Sequence, residues 1–325
     1  MSVIKPEVLI ISNRHDFACD YISACLYEKR KKYLRLNTDD LSKLNLIMDP
    51  IKASLEIKFN GNHYMISEDS LNTIYYRGPT YLRETSMYGM SVEDTLSQSQ
   101  WTAFIRSLMI FEQCKWINHP RSIYFAENKS VQLKKASQVG FIIPKTQVTN
   151  TGEYLNLVEP KNENVIVKGI DTVYLNNGDH QSFTYTNVIT KAEIQHEDLS
   201  KAPVFFQEYL FPKTDIRVTI IDNLVFAVSI LEDMKGIQGD WRLRKDNVTY
   251  NPIKLPREIE KKCIKLVKEL DLIYGAIDLV FIRNKYVFIE INPTGEWAWL
   301  VEQANLRIDK ALVSVILESS EYVQK

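Results

Sequence analysis

The sequence predicts a protein of mixed type, α/β at its N-terminal end and α+β beyond, in two or three domains. Up to about residue 120, short apolar runs alternate with stretches of helical periodicity, the order that builds a layered α/β sheet. From Asn164 onward the pattern turns to strands paired through tight turns. A length of 325 residues supplies core enough for this many domains, with boundaries expected at 1–120, 121–205 and 206–325.

In order, Glu7–Ser12 reads as a short buried strand, Ala18–Lys31 as a helix, and Tyr33–Asn37 and Ala53–Phe59 as strands. Thr73–Gly78 (TIYYRG) is another strand, running into Pro79. Trp101, Phe104, Ile105, Leu108 and Phe111 recur at helical spacing, and Trp116–His119 closes the region as a strand before Pro120. Arg77 ends its strand where α/β sheets place ligand contacts; a rim arginine paired with a local acid is the alternative.

Asn128 can cap a helix that carries Leu133, Ala136 and Val139 on one face and stops at Gly140. Lys129 lies in its first turn, where a cation opposes the helix dipole; a nearby anion explains it better than helix stability. Asn164–Ile170 (NVIVKGI) is a strand whose apolar run is broken by Lys168, a second cation in need of a partner. Asn176-Asn177-Gly178-Asp179 has type I′ turn chemistry, so Asp171–Asn187 is expected to form a hairpin. Lys191–Leu199 reads as a short helix whose acids, Glu193, Glu197 and Asp198, would ordinarily form a solvated face.

Val204–Leu210 is an apolar strand with a polar tail. Ile216–Ile221 and Leu224–Leu231 pair through Asp222-Asn223, with Asp215 and Arg217 on one face. Met234–Asn247 is a long polar loop holding Asp240, Trp241 and Arg242, of a size that is functional or disordered. Glu258–Leu270 is an amphipathic helix with Ile259, Cys263, Leu266, Val267 and Leu270 toward the core, and Val301–Glu318 ends the chain as one helix.

Between those helices, Ile273–Leu300 reads as a hairpin turning at Arg283-Asn284-Lys285. One arm carries Asp278, the other Glu290 and Asn292, which alternation puts on one face. A three-residue turn sets Asp278 opposite Glu290, and Ile277, Leu279, Ile289 and Ile291 make the other face apolar. Carboxylates this close repel unless a cation lies between them. A few hard oxygen ligands, leaving room for phosphate and water, suit magnesium better than zinc or a calcium cage. Solvated acids on a surface hairpin are the bland alternative.

Forty Lys+Arg against 41 Asp+Glu leave a net charge of −1, so no global polycation argues for nucleic acid or a membrane as partner. Four scattered cysteines without a CxxC exclude a disulfide framework and fit a reducing cytoplasm. The N-terminal apolar run is too short for a signal peptide, and no stretch approaches a membrane span.

Taken in order, Lys129, Lys168, Gln207-Glu208-Tyr209-Leu210, Asp215 with Arg217, Arg242, Asp278, Glu290 and Asn292 resemble the ATP-grasp ligases. The likeness spans Asn128 to Asn292, about half of the chain. It departs at the Gly-rich phosphate flap, since Lys168 is followed by GIDTVYLNNGD. Within that superfamily the chain is similar to the graspetide synthetases, which make microviridin-type peptides. The carrying motifs are YYRGP with Arg77, the DWR of Asp240-Trp241-Arg242, and the tail from Glu290 to Trp297 with Trp299 beyond.

The resemblance implies an ATP-grasp fold, with an N-terminal pre-ATP-grasp domain and two lobes enclosing ATP. It implies ester or amide links between side chains of a ribosomal precursor peptide, made through an acyl phosphate. Lys129 and Lys168 would hold phosphates, Gln207 to Leu210 adenine, largely through backbone groups, and Lys213 or Asp215 ribose. Asp278, Glu290 and Asn292 would bind Mg2+, two ions being expected. Arg217 and Arg242 would meet transition-state charge, although a cross-strand ion pair for Arg217 and a flexible surface charge for Arg242 are open alternatives. Arg77, Asp240, Trp241 and, by the position of the hairpin and acidic helix, Glu193, Glu197 and Asp198 would contact the peptide. Trp241, Trp297 and Trp299 would wall the acceptor site or pack the core. A homodimer is also implied. A ligase adding free amino acids, and a binding protein that kept the fold without chemistry, are the rival readings.

Overall fold

The structure, a computed structural model, describes residues 3–78, 90–151, 164–170, 174–176, 181–183, 186–195 and 199–318. The N-terminal apolar runs form a parallel sheet in the spatial order Tyr33–Asn37, Val8–Ser12, Thr73–Tyr76, Lys115–Ile117. All five residues of Val8–Ser12 are buried, as a central parallel strand covered on both faces requires. Helix Phe17–Glu28 covers one face, and its cap Asp16 accepts from the Cys19 amide. Beside it lies a second sheet of four strands, of which only Ser54–Phe59 was expected; Val3–Ile4, Asn45–Asp49 and Asn62–Ser67 complete it. Pro120 does not merely follow a strand. It opens a helix, Pro120–Ala126, capped by the His119 ring.

Helix Lys129–Gln138 starts as expected, with the Asn128 side chain accepting from the Val131 amide, and stops at Gly140 in the left-handed region (φ 91). A four-stranded antiparallel sheet follows, ordered Asn187–Thr190, Asn164–Lys168, Val204–Glu208, Thr146–Thr149. Tyr174–Asn176 pairs with Gln181–Phe183, so the expected hairpin forms; its turn, 177–180, lies outside the described residues. Of the acidic helix, Lys191–Gln195 is helical, and Glu197 and Asp198 also lie outside.

The last sheet positions the site. Its five antiparallel strands run Val248–Pro252, Leu224–Glu232, Thr214–Ile221, Tyr274–Ile282, Lys285–Asn292. Helices Arg257–Glu269 and Lys129–Gln138 pack on one face through Cys263, Leu266, Val267, Ile277, Leu279 and Ile291. The edge strand is not left open. The buried Gln132 side chain donates to Ile291 O and accepts from Ile291 N, and Phe288 N donates to Ile142 O.

Three expectations need correction here. The hairpin turn has two residues, Arg283 and Asn284, both at positive φ (49 and 62), so Ile282 faces Lys285. A β-bulge then restores the register: Leu279 faces Phe288, Asp278 faces Glu290, and Ile289 is the extra residue. The acids meet as expected, but by a different route. Ile289 accordingly leaves the helix-packed face and joins Leu210, Val280, Ile282 and Val287 on the opposite side. The Met234–Asn247 loop is ordered, with Ile237 and Trp241 buried and a 3-10 helix, Trp241–Asn247, capped by Asp240. The C-terminal helix is two, Ala298–Gln303 and Ile308–Ile316, parted at Asn305 (φ 52).

Candidate active site

Strand pairing places the charged side chains without help from loops. Arg217 is the cross-strand partner of Asp278, which is the partner of Glu290, so three adjacent strands contribute one row. Arg217 Nη1 donates to Asp278 Oδ1 at 2.9 Å. Its side chain is only 8% exposed, yet among the described residues Nε has no partner. A buried guanidinium N–H left open is costly unless an anion fills it. The Trp241 ring lies under this guanidinium, 5.8 Å from Cζ to the ring centroid.

Arg242 approaches from the 3-10 turn. Its Nη2 donates to Glu290 Oε1 at 2.6 Å and stands 3.6 Å from Asp278 Oδ2. The expectation that two acids so placed need a cation between them is met here by the guanidinium. Arg242 is therefore a fixed member of the cluster, not a flexible surface charge. Burial works against ionisation of Glu290, but Arg242, Lys168 and Lys129 outweigh it and hold the carboxyl below its usual range. Asp278 goes the other way: burial pushes it up, and Arg217 and Arg242 only partly draw it back.

Lys168 lies at the end of its strand with its pKa lowered, first by burial and then by Arg242 and Lys129, against the pull of Glu290. Lys129 Nζ reaches Ile170 O at 3.3 Å. Both lysines thus act on the same carboxylate, although 39 or more residues separate them. Lys213 Nζ stands 2.5 Å from both oxygens of Asp215, two strand positions before Arg217. Burial raises Asp215, and Lys213 counters it. Beyond Asp278 on this face come Val280 and Ile282, with Val287, Ile289 and Leu210. The carboxylates therefore give way to an apolar floor at roughly 7 Å per two residues along the strand.

Some expected roles move. Arg77 is 7% exposed and its donors are engaged inside the protein: Nε to Asp16, Nη1 to Thr294 O and Gly295 O, Nη2 to Glu296. The local-acid alternative describes it, and a peptide contact does not. Glu193 accepts from the Thr190 amide and hydroxyl while its own amide bonds Thr190 Oγ1, a capping box that gives the carboxylate a structural task. The Thr-x-x-Glu spacing was there to be read. The Gln207 amide is spent on Thr146 and Glu208 accepts from the Lys145 amide, while their backbone is engaged with the strands on either side, so neither side chain is offered to a ligand. Asp240 caps its helix and pairs with Arg242. Trp297 is fully buried and donates to Tyr75, a core residue and no wall; Trp299 stays half-buried against Tyr250, centroids 4.5 Å apart.

Asn292 closes the row, its Oδ1 accepting from Thr294 N at 3.0 Å. The sequence did not single out Asn118, which is 2% exposed and makes four hydrogen bonds to the ends of this hairpin, donating two and accepting two. No spacing or periodicity signals it. Among the described residues no three His, Cys, Asp or Glu side chains gather as a metal site. A cation held here would rest on two carboxylates and the Asn292 amide, with phosphate and water oxygens completing its shell. This hard, all-oxygen, incomplete set fits magnesium bound to nucleotide.

Two in-register acids, the cations Arg217, Lys168 and Arg242 around them and the adjoining apolar floor are the groups an ATP-using ligase needs. The chain belongs to the RimK-like ATP-grasp family, whose model matches residues 126–316. It has the ATP-grasp fold with mixed α/β content. It is 27% identical over 234 residues to a tetrahydromethanopterin:alpha-L-glutamate ligase of Methanocaldococcus jannaschii, covering 66% of this chain and 76% of that one. Its fold is similar to that of macrocyclase MdnC of Microcystis aeruginosa, solved with precursor peptide MdnA: TM-score 0.80, 22% identity, 96% of this chain and 99% of the other. It is similar as well to a RiPP-associated ATP-grasp ligase of Chryseobacterium gregarium, solved with ADP and a leader and core peptide: TM-score 0.79, 23% identity, 97% of each chain. No helix among the described residues is long and apolar enough to cross a membrane.

Proposed function

We propose that this ligase is a peptide macrocyclase of the graspetide type, joining Glu or Asp side chains of a ribosomal precursor to Thr or Ser hydroxyls, or to Lys amines. The observation that carries the reading is the buried Arg217, tied to Asp278 on one side and open at Nε on the other. It presents a fixed donor where the metal-bearing acids would hold a transferring phosphoryl group. Likeness over nearly the whole length to ligases solved with precursor peptides supports a peptide as acceptor.

In this reading, Lys129 and Lys168 bind nucleotide phosphates, and Leu210, Val280, Ile282 and Ile289 make the floor under adenine. The backbone of Tyr209 and Leu210, past the end of the paired strand, would offer hydrogen bonds to the base, and the Lys213–Asp215 pair would face ribose. Asp278, Glu290 and Asn292 would hold Mg2+, which supplies charge neutralisation as the γ-phosphoryl moves. A substrate carboxylate oxygen attacks the γ-phosphorus and ADP leaves with the bonding electrons. A hydroxyl or amine then attacks the acyl carbon, phosphate departs, and the proton passes to solvent. Arg217 and Arg242 stabilise the negative charge in both steps by donating hydrogen bonds. The half-buried Trp299 lines the approach for the core peptide, whereas Trp241, buried in the same core cluster as Trp297, supports the Arg217 guanidinium and does not meet the peptide as expected.

The test is co-incubation with ATP, Mg2+ and a precursor from a neighbouring small reading frame rich in Thr and Glu/Asp. Loss of one water per link by mass spectrometry, with equal release of ADP and phosphate, is expected, and Glu290→Gln should abolish it while peptide binding stays measurable. The curated relative favours a second reading, transfer of a free amino acid to a carboxylate. Mass gained with free glutamate, in place of water lost, would establish that one instead.

A further inference from the structure

The acids of the metal hairpin sit within a sheet, but Asn292 is the last strand residue, exposed and followed at once by a turn. We propose that Arg77 and Asn118, both from the N-terminal sheet, are positioning residues for this end of the hairpin, fixing the 292–296 turn and through it the Asn292 carboxamide. The inference rests on the magnesium reading of Asp278, Glu290 and Asn292.

The turn is held from three sides. Arg77 spans it from outside, donating to Thr294 O at 3.1 Å, Gly295 O at 3.2 Å and Glu296 Oε2 at 3.0 Å, while Asp16 steadies the guanidinium at 3.0 Å. Next to it, Gly78 (φ 57) comes so near that a Cβ there would stand 2.8 Å from Thr294 Cγ2. Asn118 locks both ends of the hairpin to each other: Nδ2 donates to Tyr274 O and Pro293 O, both at 2.8 Å, and Oδ1 accepts from the Ile273 and Tyr274 amides. From inside, Tyr274 donates to Gly295 O at 2.6 Å, and a Cβ on Gly295 would lie 2.5 Å from Ala276 Cβ.

What this rigid turn delivers is the Thr294 amide, which donates to Asn292 Oδ1 at 3.0 Å, with the Thr294 hydroxyl at 3.3 Å. A carbonyl oxygen has two lone pairs, so the amide bond orients the carboxamide without exhausting it. Groups that orient a metal ligand typically matter tenfold or more in metal affinity. Arg77 thus links the first strand layer of the chain to a ligand more than 200 residues later.

Binding of Mn2+ in the presence of ADP, followed by electron paramagnetic resonance, tests this directly. Arg77→Lys keeps the charge but loses the fork, and Asn118→Ala removes the bonds that join the two ends of the hairpin. Each should weaken Mn2+ about tenfold, with metal-free ADP binding changed less than about threefold. Parent-like Mn2+ affinity in both, while Asn292→Ala binds poorly, would overturn the positioning role and leave the metal assignment standing. Parent-like affinity in Asn292→Ala would instead remove the assignment itself. Should Arg77→Lys fail to fold by thermal melting, Asn118→Ala, which loses no charge, decides the matter.

Discussion

Arg217 and Lys168 are the residues whose surroundings most nearly describe a missing partner. Arg217 has one donor on Asp278 and a buried Nε with no partner among the described residues. Replacing it with Lys keeps the charge and discards the planar fork. We expect kcat to fall about a hundredfold or more in single-turnover ligation, with ADP affinity nearly unchanged, because the donor acts on charge that develops in transfer. Lys168 is held below the ordinary lysine value chiefly by burial. Phosphate would favour its charged form and raise it again, so at alkaline pH ADP binding should draw a proton from solvent. Calorimetry in buffers of different ionisation enthalpy will read that uptake, and Lys168→Met should remove it.

At the scale of elements, what the sequence shows best is existence and face, and what it shows worst is how registers close. Asp278 and Glu290 could be expected on one face, and Asp215 with Arg217 on another, because strand alternation is strict; that the two faces are one came from the pairing of Arg217 with Asp278. The two-residue turn and the bulge at Ile289 cancel one another, and nothing in the alternation distinguishes that pair of features from a three-residue turn. The Lys129 helix was legible because its Asn128 cap and Gly140 stop are local chemistry. The Arg77 partners were not, since Thr294, Gly295 and Glu296 are reached only through folding. A loop contact of the same kind fixes Gly236, where a Cβ would lie 1.7 Å from Lys213 O. Gly236→Ala must push the Lys213 backbone away. It should cost about 1–3 kcal/mol in urea unfolding and weaken ADP as Lys213 leaves Asp215.

For the whole molecule, the first and last parts of the chain share a core, with Tyr75, Trp297, Ile308 and Leu312 in one cluster. The Arg77–Glu296 pair ties them electrostatically, and Asp16 holds the same guanidinium from the other side. Burial opposes ionisation of Asp16, yet Arg77 and the Ser12 hydroxyl outweigh it, so its folded pKa lies below the ordinary value. A depressed acid contributes stability that is present above its unfolded value, ~3.9, and is lost as pH falls through the folded one. Unfolding free energy should therefore drop as pH is lowered below about 4, and Asp16→Asn should flatten that slope while lowering stability at neutral pH. Emptying the other half of the seam, Trp297→Ala, should cost about 3–5 kcal/mol by urea titration, since its side chain is fully buried.

The sequence alone determined which residues carry charge into apolar strands, where the Asn128-capped helix begins and stops, and the order of lysines, the Gln207–Leu210 stretch, arginines and acids along the chain. These are local facts, set by side-chain chemistry and by periods of 2 and 3.6 residues. Tertiary structure alone decided that Arg242 bridges Asp278 and Glu290, that Arg77 faces inward, and that Asn118 closes the hairpin. Each of those depends on backbone carbonyls or carboxylates brought from over 30 residues away. A chain's spacing holds no record of such meetings until packing fixes the distance.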